Sequence, residues 1–245
     1  MEKLIYLVWG DDAPHDDLRA DATERVLAQS GVHGLTVNVH DSAAAQAPSP
    51  VPTPDGELLH VAEVAVWVDA YDRQGPALTA ALDGLGARCA GYLVTESLYD
   101  DYGTTRHAAP RSWPDGEASP GVLTVALIHR PAGLGYDEWI RRWHGMQSPV
   151  SGELQPRMRY VRNEVRRAVT PDAPPIDGIV EEAWPSATHV KDPMLFFNAT
   201  TPAELDANVT RMLESVNACL DLAQLRSVTM TEHFVRTLPA GDPKR

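Results

Sequence analysis

The chain has 245 residues, of which 43% are apolar, and its formal net charge is −13. A chain of this length can form one large domain or two ordinary ones with a substantial core. The excess negative charge repels nucleic-acid phosphates and anionic lipids, so we expect neither nucleic acid nor a membrane as a partner. The early apolar run at 4–9 is too short to span a bilayer and follows no signal-type segment, which indicates a cytoplasmic protein.

The first hundred residues predict the element order β-α-β-β-α-β. Apolar and alternating patterns predict the strands, and apolar positions at helical spacing predict the helices. The predicted strands cover 3–9, 35–40, 58–68 and 87–98, and the helices 16–30 and 76–85, with Pro76 at the first position of the second helix. Four prolines between 42 and 56 predict an extended loop.

The same order returns after a polar stretch rich in glycine and proline. Strands are predicted over 122–129, 158–167, 179–184 and 227–235, and helices over 136–145 and 201–222. Thr201 as the cap, Pro202 at the first position and Glu204 form a capping box for the last helix. We therefore predict a first half at 1–100, a linker at 101–120, a second half at 121–238 and a polar tail at 239–245.

The repeated order predicts an α+β protein built from two tandem ferredoxin-like β-α-β-β-α-β units. Each unit would leave one face of its four-stranded sheet uncovered, and packing the two sheets together inside one chain covers both. The alternative is that each half pairs with another chain. A homodimer of the two-unit chain is a further expected assembly.

Three stretches of the second half carry a family resemblance. They read Y-D-E-W-I-R-R-W-H-G-M-Q-S-P-V from 136, R-Y-V-R-N from 159 and D-G-I-V-E-E-A-W from 177. Together they resemble the EthD domain, a member of the dimeric α+β barrel superfamily. The resemblance implies an intramolecular barrel, a pocket and substrates of the aromatic or polyketide kind, handled without a cofactor. Related barrels include isomerases, cyclases, monooxygenases, dehydratases and decarboxylases, so it does not imply one reaction.

The helix of this motif supplies the first candidate site residues. Trp139 and Trp143 share a helical face, and His144 lies at its margin. A histidine against apolar walls is a common general acid or base. The alternative for His144 is a helix-end histidine bonded to a terminal carbonyl. Gln147 stands where the family usually has a histidine, and we expect it to contact the substrate.

The strands supply polar candidates. Glu181 shares a face with Ile179 and Ala183, so burial is expected to raise its pKa and suit it to catalysis, unless it pairs with a nearby arginine. Glu182 faces the other way. Asn163 is a polar group on an otherwise apolar face, able to bind a ligand carbonyl or a backbone group.

The other strand candidates are weighed against structural roles. Arg162 is a candidate for stabilising an enolate-like oxygen, although the arginines of its strand are expected to be solvated. His233 is either a second pocket histidine or an ordinary strand-edge residue. Trp184 is expected to join an aromatic wall for flat substrates. No metal-binding, serine-hydrolase or nucleotide-binding motif occurs, so we expect no metal.

These observations predict a cofactor-independent enzyme that moves a proton on an aromatic or polyketide-like carbonyl compound. Isomerisation, cyclisation, dehydration or decarboxylation would each fit. The alternative is a non-catalytic binding or accessory protein that holds a hydrophobic metabolite for a partner enzyme. A third reading is an interaction scaffold with no ligand.

Overall fold

The computed structural model describes residues 1–51 and 53–238, so the predicted tail at 239–245 lies outside the described residues. Its strands are β1 Glu2–Gly10, β2 Val32–Val39, β3 Leu59–Val68, β4 Arg88–Asp100, β5 Val122–Ile128, β6 Arg159–Ala168, β7 Gly178–Trp184 and β8 Arg226–Arg236. Its α-helices are α1 Leu18–Leu27, α2 Tyr71–Leu82, α3 Tyr136–Arg142, α4 Ser148–Leu154, α5 Ala187–Lys191, α6 Pro193–Phe196 and α7 Pro202–Asn217. None of the described helices is long and apolar enough to cross a membrane.

The strands close into one antiparallel barrel in the order β1-β3-β2-β8-β5-β7-β6-β4. Each half contributes four neighbouring strands in ferredoxin-like order, and the halves join where β2 pairs with β8 and β4 pairs with β6. The predicted fold class is confirmed, because two tandem units form a dimeric α+β barrel within one chain. Of the helices, α1 and α2 cover the first-half sheet, while α3, α4 and α7 lie over the second-half sheet.

Two predicted helices differ from the structure. Helix α2 begins at Tyr71, so Pro76 lies inside it and not at its first position, and the Asp72 carbonyl lacks the usual donor four residues on. The helix predicted to end at 145 continues to Leu154 through a π-helical turn at Trp143–Gln147. Pro149 has no N–H to donate, and the Ser148 hydroxyl bonds the Trp143 carbonyl at 2.9 Å, which supports the wider turn.

The barrel interior holds one face of every strand. Apolar residues from both halves fill much of it, among them Ile5 and Leu7 of β1 and Val228 and Met230 of β8. The connection at 101–121 runs along β8, where the amides of Gly116 and Ser119 donate to β8 carbonyls. Because helices cover the outer face as well, most strand positions are buried on both sides of the sheet.

Candidate functional site

A cavity of about 310 Å³ lies between the outer face of the second-half sheet and the helices that cover it. We call it the second-half cavity. Its floor is formed by outward-facing residues of β5, β6 and β7, and its walls by the π-helical turn, α6 and α7. Its apolar lining comprises Ala126, Ile128, Trp143, Val180, Phe196, Met212, Leu213, Val216, Leu220, Leu222 and Leu225. This volume and lining suit a small, largely apolar ligand.

Five polar residues interrupt the apolar lining: Gln147, Gln155, Tyr160, Glu182 and Ser227. Tyr160 and Glu182 are register partners on β6 and β7. The Tyr160 hydroxyl donates to Gln147 Oε1 at 3.4 Å and accepts from Trp143 Nε1 at 3.4 Å. Both hydrogen bonds are longer than usual, so either donor, the Trp143 indole N–H or the Tyr160 hydroxyl, can form a shorter hydrogen bond to a ligand oxygen.

Burial, opposed in part by the nearby Arg157 charge, raises the pKa of Tyr160, which therefore stays a protonated phenol at neutral pH. Arg157 Nη1 donates to Glu182 Oε1 at 2.9 Å, and its guanidinium lies 3.8 Å from the Tyr160 ring centroid. Its Nε and Nη2 atoms have no hydrogen-bond partner among the described residues. The buried Arg157 thus orients the carboxylate and the phenol that face the cavity.

Trp143 reaches the cavity because β7 has a glycine beneath it. A Cβ added at Gly178 would lie 2.9 Å from the Trp143 ring, so no larger residue fits without displacing the indole. Trp139 stacks on Trp143 with ring centroids 4.9 Å apart and is fully buried behind it. Trp143 and Gln147 therefore line the cavity, whereas Trp139 supports it from the core.

His144 does not line the cavity. Its ring packs edge-on against Trp143, and its Nε2 atom has no partner among the described residues. Burial, together with the neighbouring Arg162 charge, lowers the pKa of His144 to about 4. At neutral pH this imidazole is uncharged and separate from the cavity lining.

Glu181 lies inside the barrel, on the opposite face of β7 from the cavity. Its Oε1 accepts from Lys3 Nζ at 3.1 Å and from Asn163 Nδ2 at 2.8 Å, and its Oε2 accepts from Arg159 Nη1 at 2.8 Å. Burial alone would raise the pKa of Glu181, but Lys3 and Arg159 lower it. The expected upward shift is therefore wrong, and Glu181 is the arginine-paired acid that the sequence left as the alternative.

The interior charges extend beyond Glu181. Arg159 Nη1 also donates to Glu232 Oε1 at 2.9 Å, and Lys3 Nζ donates to Glu96 Oε2 at 2.6 Å and to Asn163 Oδ1 at 2.8 Å. Asn163 is satisfied by these interior partners and does not face the cavity. This cluster joins β1 and β4 of the first half to β6, β7 and β8 of the second.

The remaining candidates also lie outside the cavity. Arg162 donates to the Ser148 hydroxyl at 3.0 Å, and Trp184 stacks on Phe196 with ring centroids 4.5 Å apart. His233 lies on the outer face of β8, opposite Val37 of β2. The expectation of solvated arginines is wrong for Arg162 and for Arg157 and Arg159, all of which are buried because each meets an acceptor or an aromatic ring.

Sequence reasoning missed the polar groups that the structure brings to the cavity. Tyr160 alternates onto the same strand face as Arg162, where the sequence predicts solvated side chains, and Glu182 faces away from Glu181. One sequence signal could have found them. Val180, on the same face of β7 as Glu182, is apolar, and an apolar residue on both faces of a strand indicates that a second layer covers the outer face, where Tyr160 also lies.

A second, more polar cavity of about 540 Å³ lies beneath the proline-bearing loop, beside His40 and Thr229. There His40 Nδ1 lies 2.8 Å from the Thr229 carbonyl oxygen. Over residues 1–51 and 53–238, no group of three or more histidine, cysteine or acidic residues is placed to hold a metal ion.

Comparison with known proteins supports the fold described above. No protein-family model and no curated protein sequence matches the chain. The crystal structure of an anthrone oxidase-like protein aligns with a TM-score of 0.55 at 11% identity, over 98% of this chain and 96% of that one. A proposed monooxygenase from Fusobacterium nucleatum subsp. nucleatum aligns with a TM-score of 0.49 at 7% identity, over 98% and 97% of the two chains. At such low identity the first of these likenesses supports the barrel fold alone.

Proposed function

We propose that the chain is an EthD-like enzyme that binds a small aromatic or polyketide-like carbonyl compound in the second-half cavity and moves a proton on it without a cofactor. One observation carries the proposal. A phenol, an amide and a carboxylate, from Tyr160, Gln147 and Glu182, converge on an otherwise apolar cavity. The EthD-like motif around Trp143 and Asp177 supports it, since that motif builds this cavity.

In the proposed reaction Glu182 is the general base. The carboxylate removes a proton from the carbon next to the ligand carbonyl, and the C–H electron pair becomes an enolate. The Tyr160 hydroxyl and the Gln147 amide donate hydrogen bonds to the enolate oxygen. Return of the proton from Glu182 to a different carbon gives isomerisation. Return of the proton from Glu182 to a β-hydroxyl, which leaves as water while the enolate electron pair forms the C=C bond, gives dehydration.

This assignment moves proton transfer from His144 and Glu181 to Glu182. Glu181 is tied to two interior cations, and His144 is separated from the lining. Glu182 has one interior partner, Arg157, and its side chain remains 19% exposed. Among the carboxylates of the second half, it is the one that lines the cavity.

The test is proton exchange on a bicyclic ketone. With 2-tetralone in D₂O, NMR should show that the protein accelerates loss of the α-proton signal. Glu182→Gln should reduce this acceleration by roughly 10²–10⁴-fold, the usual contribution of a positioned base. Tyr160→Phe should reduce it by roughly 10-fold or more, because one enolate donor is lost.

Glu153→Gln is the matched control, since Glu153 pairs with Arg211 on the surface. It should exchange at the wild-type rate. If Glu182→Gln also exchanges at the wild-type rate, the role proposed for Glu182 is wrong.

A non-catalytic binding protein is the second candidate. It is favoured by Gln147 standing where the resembled family has a histidine, and by Arg157 Nη1, which occupies Glu182 Oε1 with a hydrogen bond of 2.9 Å. Saturable binding of 2-tetralone, without any acceleration of exchange, would select this candidate.

A further inference from the structure

One wall of the second-half cavity comes from the other half of the chain. Pro50 and Val51, from the proline-bearing loop between β2 and β3, line it together with residues of the second half. We call residues 47–51 the crossing segment. The first half thus reaches over the seam between β2 and β8 and contributes to a cavity that its own helices do not touch.

The crossing segment is fastened to the strand that borders the cavity. The Thr229 hydroxyl donates to the Ala47 carbonyl at 2.8 Å, and Ala47 is buried against Trp184 and Val122. The Ser49 hydroxyl lies 2.6 Å from the Ser227 carbonyl oxygen. Ser227 itself lines the cavity, so these bonds fix the segment relative to the cavity floor.

Ser49 also sets the position of Val51. The Val51 amide donates to Ser49 Oγ at 3.2 Å, which makes a tight local turn around Pro50. Pro48 and Pro50 restrict the backbone on either side of Ser49. The Val51 side chain is therefore held at the cavity edge by its own backbone and by β8.

We propose that Val51 is a specificity-determining residue that limits the size of the ligand the second-half cavity accepts. Ser49, which is hydrogen-bonded to β8, holds Val51 in place. The inference rests on the proposed function of that cavity as a ligand site. At about 310 Å³ the cavity is small for a ligand pocket, so one side chain at its edge decides whether a third ring fits.

The test uses two uncharged aromatic probes of different size. These are 2-naphthol and the larger N-phenyl-1-naphthylamine, with dissociation constants measured by fluorescence titration. Val51→Ala should tighten binding of the larger probe relative to the smaller by roughly fourfold, about the effect of one buried methylene. Val51→Phe should shift the ratio by a similar factor in the opposite direction.

Ser49→Ala releases Val51 and should move the ratio in the same direction as Val51→Ala. Ser42→Ala is its matched control, because Ser42 lies in the same loop but bonds Asp16. Val169→Ala is the control for the valine truncation, since Val169 packs against the first-half core. Both controls should keep the wild-type ratio.

Val216→Phe fills the cavity from α7. It distinguishes failure of the inference about Val51 from failure of the proposed function of the cavity. If it abolishes binding of both probes but the Val51 variants leave their ratio unchanged, the inference is overturned and the cavity remains a ligand site. If both probes still bind to Val216→Phe, they bind elsewhere, and the proposed function of the cavity is overturned together with the inference.

Discussion

The two halves share one fold but fill the space between sheet and helices differently. In the first half, α1 and α2 lie on a continuous aliphatic cluster that includes Leu4, Val26 and Leu78. In the second half a smaller cluster is built around stacked tryptophans, and the second-half cavity lies beside it. Helix α2 buries Gly75, Leu78 and Leu82, whereas the longer α7 buries Met212. The layer between sheet and helices is thus closed in the first half, whereas in the second half it leaves a cavity of about 310 Å³.

Inside the barrel the halves are not separate, and breaking that connection should give the largest effect. Lys3→Met removes the cation that bridges Glu96 and Glu181. The buried Glu181 then keeps Arg159 as its cationic partner, and the loss of compensating charge should lower the free energy of unfolding by about 3–5 kcal/mol. Chemical denaturation measures it. The double variant Lys3→Met/Glu181→Gln should recover part of the loss, and strictly additive losses would show that the two residues are not coupled.

Truncating one leucine to alanine in each half compares how tightly the two layers between sheet and helices are packed. Leu78→Ala should cost about 3–5 kcal/mol of unfolding free energy, because it opens a void in a closed cluster. Leu220→Ala should cost about 1–2 kcal/mol, since Leu220 borders existing space. Equal losses in denaturation experiments would mean that the second layer is packed as tightly as the first.

Gly178→Ala should weaken ligand binding, in addition to the overpacking of the new Cβ against Ile128 at 2.9 Å. The new Cβ would push the Trp143 ring towards the cavity, and we expect affinity for 2-naphthol to fall roughly tenfold, equivalent to about 1.4 kcal/mol. Fluorescence titration measures it. Gly135→Ala is the matched control, because a Cβ there meets no atom within 4 Å. An unchanged affinity in Gly178→Ala would remove Trp143 from the binding wall.

Glu63, an interior carboxyl of the first half, should make the stability depend on pH. Burial and the nearby Glu181 charge raise its pKa, against the opposing effect of Lys3. The protonated form is therefore favoured by folding. Its stabilisation is complete below the ordinary carboxyl pKa and is lost as the pH rises from there towards the raised value.

Glu63→Gln should accordingly flatten the decline of stability with rising pH, by about 1.4 kcal/mol for each unit of pKa shift. Thermal unfolding between pH 5 and pH 9 measures this decline. Glu57→Gln is the control, since Glu57 pairs with Arg226 on the surface. If the stability of Glu63→Gln falls with rising pH as steeply as that of the wild type, Glu63 is ionised in the folded state.

The strands and the longer helices were predictable because their signals are local, whereas the short α5 and α6 were not predicted. The alternation in β7, the apolar run of β1 and the Thr201 cap of α7 each depend on a few neighbouring residues. The predicted start of a helix at Pro76 and the predicted end of a helix at Gly145 are wrong for a physical reason. A proline inside α2 and the π-helical turn are tolerated through tertiary packing, which local preferences do not contain.

The site was predictable only in part because the sheet is buried on both faces. Alternation separated Glu181 from Glu182 correctly but did not show which face meets the barrel interior and which meets the cavity. The resemblance to the EthD domain pointed to Trp143 and Gln147, both of which line the cavity. Tyr160 depended on contacts with the π-helical turn, and Val51 on contacts across the seam, neither of which a local pattern records.

The seams between β2 and β8 and between β4 and β6 have an evolutionary consequence. When such a barrel forms from two identical chains, every substitution appears twice, so a change that closes one pocket closes both. Joining the units in one polypeptide removes this symmetry. One copy can then accumulate mutations that favour folding while its sister keeps the freedom to bind, and a loop of the first can be recruited to shape the site of the second.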